Sequence, residues 1–233
     1  MKKHYTDLSI ILPTYNESGN IVLLIRELLK QTENQSQIIV VDDNSPDKTF
    51  EVAKKAFSRN TNVHIYKRIQ ERGLATAILY GIKKSITKKV LVMDTDFNHD
   101  PKEILPMLEL SQKHDLVIGS RYISSGGMEN KVRQWLSYAF NIYLRMLLGH
   151  GVKDNLSGFF IMDRKKILNF PTDQIFYGFG DYFIRLIYTA YTKKMKITET
   201  PVFYKNRTYG VSKSQFIPMF IEYTKSALKL RFS

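Results

Sequence analysis

The chain has 233 residues, enough for one large domain with a full core, and its 43% hydrophobic and 24% charged residues are ordinary for a globular protein. It contains no cysteine, which excludes a disulfide framework and a thiolate metal site. The formal net charge of +13 is uneven: residues 1–100 carry 15 basic and 12 acidic side chains and residues 101–233 carry 20 and 10, so an anionic partner is expected at the second half.

The stretch before Pro13 is too short for a signal peptide. No apolar run approaches the roughly 20 residues of a spanning helix, so the chain is expected in the cytoplasm. Leu8–Leu12 reads as a strand and Ile21–Leu29 as an amphipathic helix. Ile38–Val41 is a second strand, followed by turn and helix-start chemistry in Asp42-Asp43-Asn44-Ser45-Pro46-Asp47. A helix is expected over Asp47–Phe57, a strand over Val63–Tyr66, a helix over Thr76–Ser85 and a strand over Val90–Met93. Pro101–Ser111 follows as a helix with proline in its first turn, then a strand at Leu116–Gly119.

Strand and helix in alternation predict an α/β fold with a mostly parallel central sheet wrapped on both faces. Ligands of such sheets bind beyond the carboxyl ends of the strands. Three of those ends are polar here: Pro13-Thr14-Tyr15-Asn16-Glu17, Asp42-Asp43 and Asp94-Thr95-Asp96. Alternation along a strand puts Asp94 and Asp96 on one face. Two carboxylates that close call for a hard divalent cation, Mg2+ or Mn2+, with a substrate phosphate in its shell. No G-x-G-x-x-G follows the first strand and no P-loop, H-E-x-x-H or G-x-S-x-G occurs, which argues against dehydrogenase, P-loop, zinc-protease and α/β-hydrolase chemistry.

In the second half, Trp135–Leu148 is apolar nearly all round, and at ~1.5 Å per residue it is short of a bilayer core. Phe216, Phe220, Tyr223, Ala227 and Leu230 repeat at helical spacing with Lys225, Lys229 and Arg231 near the end. Both segments read either as core helices or as amphipathic helices lying in a membrane interface. Their basic and aromatic character favours the interface.

Eight blocks in order carry a family resemblance from about Leu8 to Lys213: Leu12 to Glu17, Val41 to Asp47, Arg72-Gly73-Leu74, Asp94 to Pro101, Gly119-Ser120-Arg121-Tyr122, Arg133 with Ser137, Asp154 to Gly158, and Arg207 to Lys213. The chain resembles family 2 glycosyltransferases, and within them the polyprenyl-phosphate sugar synthases of the dolichol-phosphate mannose synthase group. The resemblance implies a GT-A type, Rossmann-like nucleotide-sugar-binding fold over residues 1–213. The donor site would lie mainly in 8–120, the acceptor site mainly in 121–213, and an amphipathic helix in 214–233. It implies an inverting transfer of a hexose, foremost mannose from GDP-mannose, to a polyprenyl phosphate with Mg2+ or Mn2+.

By the same resemblance Pro13, Tyr15, Glu17, Asp42, Asp43, Gly73, Leu74 and Asp94 bind the donor nucleotide. Asp94, Asp96 and Asn98 hold the metal. Arg121, Arg133, Ser137, Arg207 and Lys213 contact the acceptor phosphate, with Asp96, Arg121 and Arg133 foremost in catalysis. Asp154 and Asp181 are candidate sugar contacts. Phe160 stands where relatives often carry a basic residue, which implies a lost phosphate or sugar contact. The partners implied are a nucleotide sugar, a polyprenyl phosphate, the cytoplasmic face of a membrane and a small membrane subunit. The alternative is a hydroxyl acceptor on a glycan or lipid with a UDP-sugar donor, which requires a base, with Asp154 and Asp181 as candidates. A basic nucleic-acid-binding protein without catalysis leaves the acidic blocks without a role.

Overall fold

The computed structural model describes residues 5–205 and 216–232. The expected alternation is present as β1 (Leu8–Thr14), α1 (Ile21–Gln31), β2 (Gln37–Asp42), α2 (Thr49–Phe57), β3 (Val63–Lys67), α3 (Leu74–Lys84), β4 (Lys89–Val92), α4 (Ile104–Leu110) and β5 (Leu116–Ser120). Proline 101 opens a 3-10 turn, Pro101–Glu103, rather than α4 itself, and the Asp100 side chain caps that turn at the Lys102 N–H. Helix α2 starts after Asp47, whose carboxylate accepts from the Thr49 N–H at 3.0 Å and hydroxyl at 2.5 Å. Helix α3 starts at Leu74 because Gly73, at φ +150, makes a turn that L side chains avoid.

Periodicity assigns nothing between residues 149 and 205. The structure places β7 (Phe160–Asp163), α6 (Arg164–Leu168), α7 (Thr172–Ile175), α8 (Tyr182–Thr192), β8 (Ile197–Pro201) and β9 (Phe203–Tyr204) there. The short β6 (Gly127–Met128) and α5 (Lys131–Leu148) precede them, and α9 (Phe216–Phe232) follows. Strand β7 is too short to show alternation, and Phe160–Met162 are buried throughout. Helix α8 is buried on every side from Tyr182 to Ile187, so it has no polar stripe at its start.

The main sheet has the order β3-β2-β1-β4-β7-β5-β8. All neighbours are parallel except β7, which runs antiparallel to both β4 and β5. Both faces are covered, so β1 is buried at every residue. Ile10 and Leu12 pack under α1, while Ile11 packs under α3 on the other face. Helix α3 lies so close to β1 that a methyl on Gly81 would sit 2.5 Å from the Ile11 side chain. A third apolar cluster joins α5, α8 and α9 through Phe140, Leu144, Leu148, Ile184, Tyr223 and Ala227. Strands β6 and β9 form a separate parallel pair beside it.

Phe160, expected to leave a phosphate or sugar contact unmade, is wholly buried and stacks on Phe183 at 5.4 Å in the core.

Candidate active site

Pairing between β1 and β4 stops at Ile11–Val92, while β1 continues beside β2 to Thr14–Asp42. The strands therefore part just where the chain reverses its order across the sheet, which is where α/β sheets place ligands. A cavity of about 890 Å3 opens there. Strand β7 runs the opposite way, so the loop leading into it, residues 154–158, arrives at the same end of the sheet. Leu156, Ser157 and Gly158 line the cavity for that reason.

Two acids at the end of β2 divide their work. Asp43 lines the cavity and accepts from Arg68 Nε at 2.7 Å and from the Gly73 N–H at 2.8 Å. Arg68 is almost fully buried and also donates to Thr76 Oγ1 and the Gly73 carbonyl, tying β3 to the start of α3. Asp42 does not line the cavity; it is wholly buried and accepts from Thr14 Oγ1 and from the Ser45 N–H and hydroxyl. Its expected place beside the nucleotide is corrected to that of the residue that folds the turn. Serine 45 in turn accepts from the Asn16 N–H, and Asp47 from the Ser18 N–H, so the turns after β1 and β2 are laced together. Tyr15 and Arg72 meet face to face across the cavity wall, with the guanidinium 4.0 Å from the ring centroid.

The acid pair lies past the end of β4, which stops at Val92, so strand alternation is not what brings Asp94 and Asp96 together. Both line the cavity from the loop after β4, which turns just beyond them at Phe97, a bulky residue at φ +62. Asp94 has a half-exposed side chain and Asp96 is 3% exposed. Asn98 donates to Asp96 from its backbone N–H at 3.1 Å and from Nδ2 at 2.9 Å, so it orients that carboxylate. Among the described residues no three acid, histidine or cysteine side chains converge as a metal cage. Two carboxylates in a wet cavity nonetheless fit Mg2+ or Mn2+, which bind through one or two carboxylates plus water and substrate phosphate.

Behind the loop, the Asp94 N–H donates to His99 Nδ1 at 2.9 Å, and His99 Nε2 lies 2.7 Å from the Tyr204 hydroxyl. His99 is wholly buried and stacked on Phe159 at 4.5 Å. Burial pushes its pKa down to about 4, which keeps the ring neutral at pH 7. Tyr182 also lines the cavity, and burial, with Asp94 nearby, holds its phenol protonated well above the ordinary range.

On the other side, Arg121 lines the cavity but is not an open cation. Its Nε and Nη2 donate to the two oxygens of Asp154 at 2.8 and 2.7 Å, and its backbone N–H adds a third bond at 3.0 Å. Burial works against the charge, yet the Asp154 carboxylate outweighs it and holds the Arg121 pKa above its usual value. Asp154 is wholly buried, so the expected sugar contact is corrected to a partner of Arg121. Asp181 is corrected likewise. Its carboxylate is taken by Arg185 Nη1 and the Phe179 N–H. Arg185 is itself buried, donating also to the Ile175 and Tyr177 carbonyls and to Ser226 of α9.

Arg133 and Ser137 both line the cavity, one turn apart on α5. The helix is pinned there by Asn130, whose side chain accepts from the Arg133 N–H at 2.9 Å. Arg207 and Lys213 lie outside the described residues. Beyond Arg133 the cavity turns apolar, with Val132, Leu136, Phe140, Met219 and Phe220 between α5 and α9. Helix α5 buries Ser137 and Asn141 beside Phe140, Leu144 and Leu148, while Val132, Trp135 and Met146 are 71–80% exposed. Phe220, Ile221, Leu228 and Phe232 extend the apolar surface along α9. No helix of the described residues is long and apolar enough to cross a membrane.

Pro13, Tyr15, Glu17, Asp43, Gly73, Leu74, Asp94, Asp96, Asn98, Arg121, Arg133 and Ser137 thus line one cavity, as expected from scattered blocks. Arg68, Tyr182, His99 and Tyr204 were not foreseen. His99 stood in the acid block, but its partner is 105 residues away.

A mostly parallel sheet whose strand ends present paired acids to a cavity at the switch in strand order is the GT-A architecture. The chain belongs to glycosyl transferase family 2, whose model matches residues 9–169. It is 33% identical over 233 residues to the dolichol-phosphate mannosyltransferase of Pyrococcus furiosus, covering 96% of this chain and 63% of that protein. It is 33% identical to the polyprenol monophosphomannose synthase of Mycolicibacterium smegmatis, covering 88% of this chain and 79% of the relative. The undecaprenyl-phosphate mannosyltransferase of Micrococcus luteus is 32% identical, over 87% of this chain and 85% of its own. The chain spans less than two thirds of the Pyrococcus relative's length. Its fold matches the crystal structure of glucosyl-3-phosphoglycerate synthase from Mycobacterium tuberculosis, solved with Mn2+, UDP and phosphoglyceric acid. That match has a TM-score of 0.73 at 18% identity, over 97% of this chain and 78% of that one.

Proposed function

We propose that the protein transfers a hexose, foremost mannose from GDP-mannose, to a polyprenyl phosphate at a membrane surface. The observation that carries this reading is the graded cavity: acids at the strand ends, then Arg133 and Ser137, then an apolar mouth between α5 and α9. The names of the three relatives, each a mannosyltransferase or mannose synthase for a lipid phosphate, support the same substrates.

Asp94 and Asp96 would hold Mg2+ or Mn2+, which when bound neutralises charge on the departing diphosphate. Pro13, Tyr15, Glu17, Asp43, Gly73 and Leu74 form the wall for the nucleotide, with residues 8–120 as the donor half. Residues 121–213 form the acceptor half. Arg133 and Ser137 receive the acceptor phosphate there, and Arg207 and Lys213 are assigned with them. Arg121, already paired with Asp154, contributes through its position in the wall. A phosphate monoester has a second pKa of about 6 and is largely dianionic at pH 7. Its oxygen attacks the anomeric carbon as the bond to the diphosphate breaks, and no proton has to be removed. Guanidinium groups instead offset repulsion between the two anions. The hydroxyl-acceptor alternative needs a base, and its candidates Asp154 and Asp181 are both held in ion pairs.

The deciding experiment supplies purified protein with polyprenyl phosphate and a panel of labelled nucleotide sugars. A lipid-linked mannose formed from GDP-mannose is the expected product; sugar appearing only on hydroxyl acceptors rejects the reading. Arg133→Ala is expected to raise the acceptor KM about tenfold or more while leaving nucleotide binding within twofold, because the lost contact is charge-assisted. Equal losses toward donor and acceptor would reject its role. The exposed apolar rows of α5 and α9 and the basic second half support peripheral attachment, with a small membrane subunit as a further route. The protein is expected to sediment with anionic vesicles at low salt and to release at high salt. No sedimentation at any salt would remove the membrane from the proposal.

A further inference from the structure

We propose that His99 is a positioning residue that locks the donor acid loop to the acceptor wall through Tyr204. The inference rests on the reading above, in which Asp94 and Asp96 hold the donor's metal, and adds what aims them.

Both ring nitrogens are used, and each fixes the other. The Asp94 backbone donates to Nδ1, so Nδ1 carries no proton and Nε2 must be the N–H that donates to the Tyr204 hydroxyl. Tyr204 donates its own O–H to the Ser157 carbonyl at 3.0 Å. Ser157 also donates from Oγ to the Gly119 carbonyl at the end of β5. One directional chain of bonds therefore runs from the first acid of the donor loop to the loop 154–158 that walls the acceptor. The ring is held flat against Phe159, with an interplanar angle of 9°. The Arg121 guanidinium sits 4.8 Å over the Tyr204 ring, which places the other end of the chain beside the cation of the acceptor wall. The stack on Phe159 asks only for a flat ring; the bonds at both nitrogens are what ask for an imidazole. The polar ring is needed to hold a backbone that bends through Phe97 at φ +62 three residues after Asp94.

Two substitutions cut the chain at opposite ends. His99→Asn keeps an acceptor at the place of Nδ1 and loses the bond to Tyr204; His99→Gln keeps a donor at the place of Nε2 and loses the bond to Asp94. Tyr204→Phe removes the hydroxyl alone. Calorimetric titration with guanosine diphosphate, with and without Mn2+, reads the donor loop independently of turnover. His99→Gln is expected to lower Mn2+-dependent affinity for the nucleotide about 10- to 100-fold, as loss of an outer-shell partner does. His99→Asn and Tyr204→Phe are expected to keep nucleotide affinity within threefold and to lower kcat about tenfold with little change in donor KM. Their double variant is expected to lose no more than Tyr204→Phe alone, because that substitution already cuts the bond to His99 as well as those to Ser157.

Thermal melting of all variants separates positioning from folding. If nucleotide affinity and kcat fall only in proportion to melting temperature, or if all three variants behave as the unaltered protein, the inference is overturned. An unaltered protein whose nucleotide binding ignores Mn2+ rejects the donor reading and this chain of bonds with it. An unaltered protein that responds to Mn2+, beside a His99→Gln variant that responds equally, rejects the chain of bonds alone.

Discussion

Asp96→Ala is expected to lower sugar transfer on the order of a thousandfold or more while leaving the melting temperature nearly unchanged. Asp96 is 3% exposed, held by two bonds from Asn98, and lines the cavity beside Asp94. In the proposed reaction its carboxylate would hold the cation that offsets charge on the leaving diphosphate, and such electrostatic offset is usually the largest single contribution to rate. Truncation takes an acceptor from the neighbouring Asn98 amide and N–H, and Asn98 itself lines the cavity. Asp96→Asn serves as the companion variant, since it keeps the shape and removes only the charge. Single-turnover rates with saturating donor check the result. Substantial transfer by either variant, or full activity in the presence of a chelator, would remove the acid pair from the chemistry.

The second large effect is on stability. Asp154→Ala is expected to destabilise the fold by about 3–5 kcal/mol, because it strands a buried guanidinium without its counter-charge. Arg121 and Asp154 are 5% and 0% exposed and share three bonds, one of them from the Arg121 backbone. The same carboxylate accepts from the Leu156 N–H, so the cavity-lining loop 154–158 is expected to loosen with it. A denaturant titration reads the loss directly. A shift smaller than about 1 kcal/mol would mean that water reaches the pair in solution, which is the regime of exposed ion pairs. The paired variant Arg121→Met with Asp154→Leu is expected to recover much of the stability, since buried ion pairs often exchange for apolar residues at little cost. It would not recover the site.

The cavity lining from the first half of the chain was legible in the sequence because its signals are local. Each apolar run ends in its own polar block, and a parallel sheet brings those blocks to one rim, so Tyr15, Asp43 and Asp94 could be gathered without coordinates. What could not be read is which acid faces the ligand and which faces a neighbour. Asp42 and Asp43 are adjacent letters, yet one folds a turn and the other lines the cavity. Asp154 and Asp181 looked like candidate contacts because their arginine partners are fixed only by the fold. Arg121 comes from the end of a strand 33 residues away, and Arg185 from the next turn of a helix that periodicity cannot see. Of the helices in the second half, α5 and α9 were located by their apolar and aromatic patterns. Their orientation was not, because α5 turns its serine and asparagine inward and its tryptophan outward.

The reversed strand β7 also sets an order of assembly. Strands β1, β2 and β3 can pair with one another, and β4 with β1, as soon as they leave the ribosome. Strand β4 keeps a raw edge until residues 160–163 arrive, and β5 has no partner in the sheet before then. Open edges recruit strands from other chains. The nascent chain is therefore most exposed to wrong partners during synthesis of the stretch between β5 and β7, which holds the apolar helix α5.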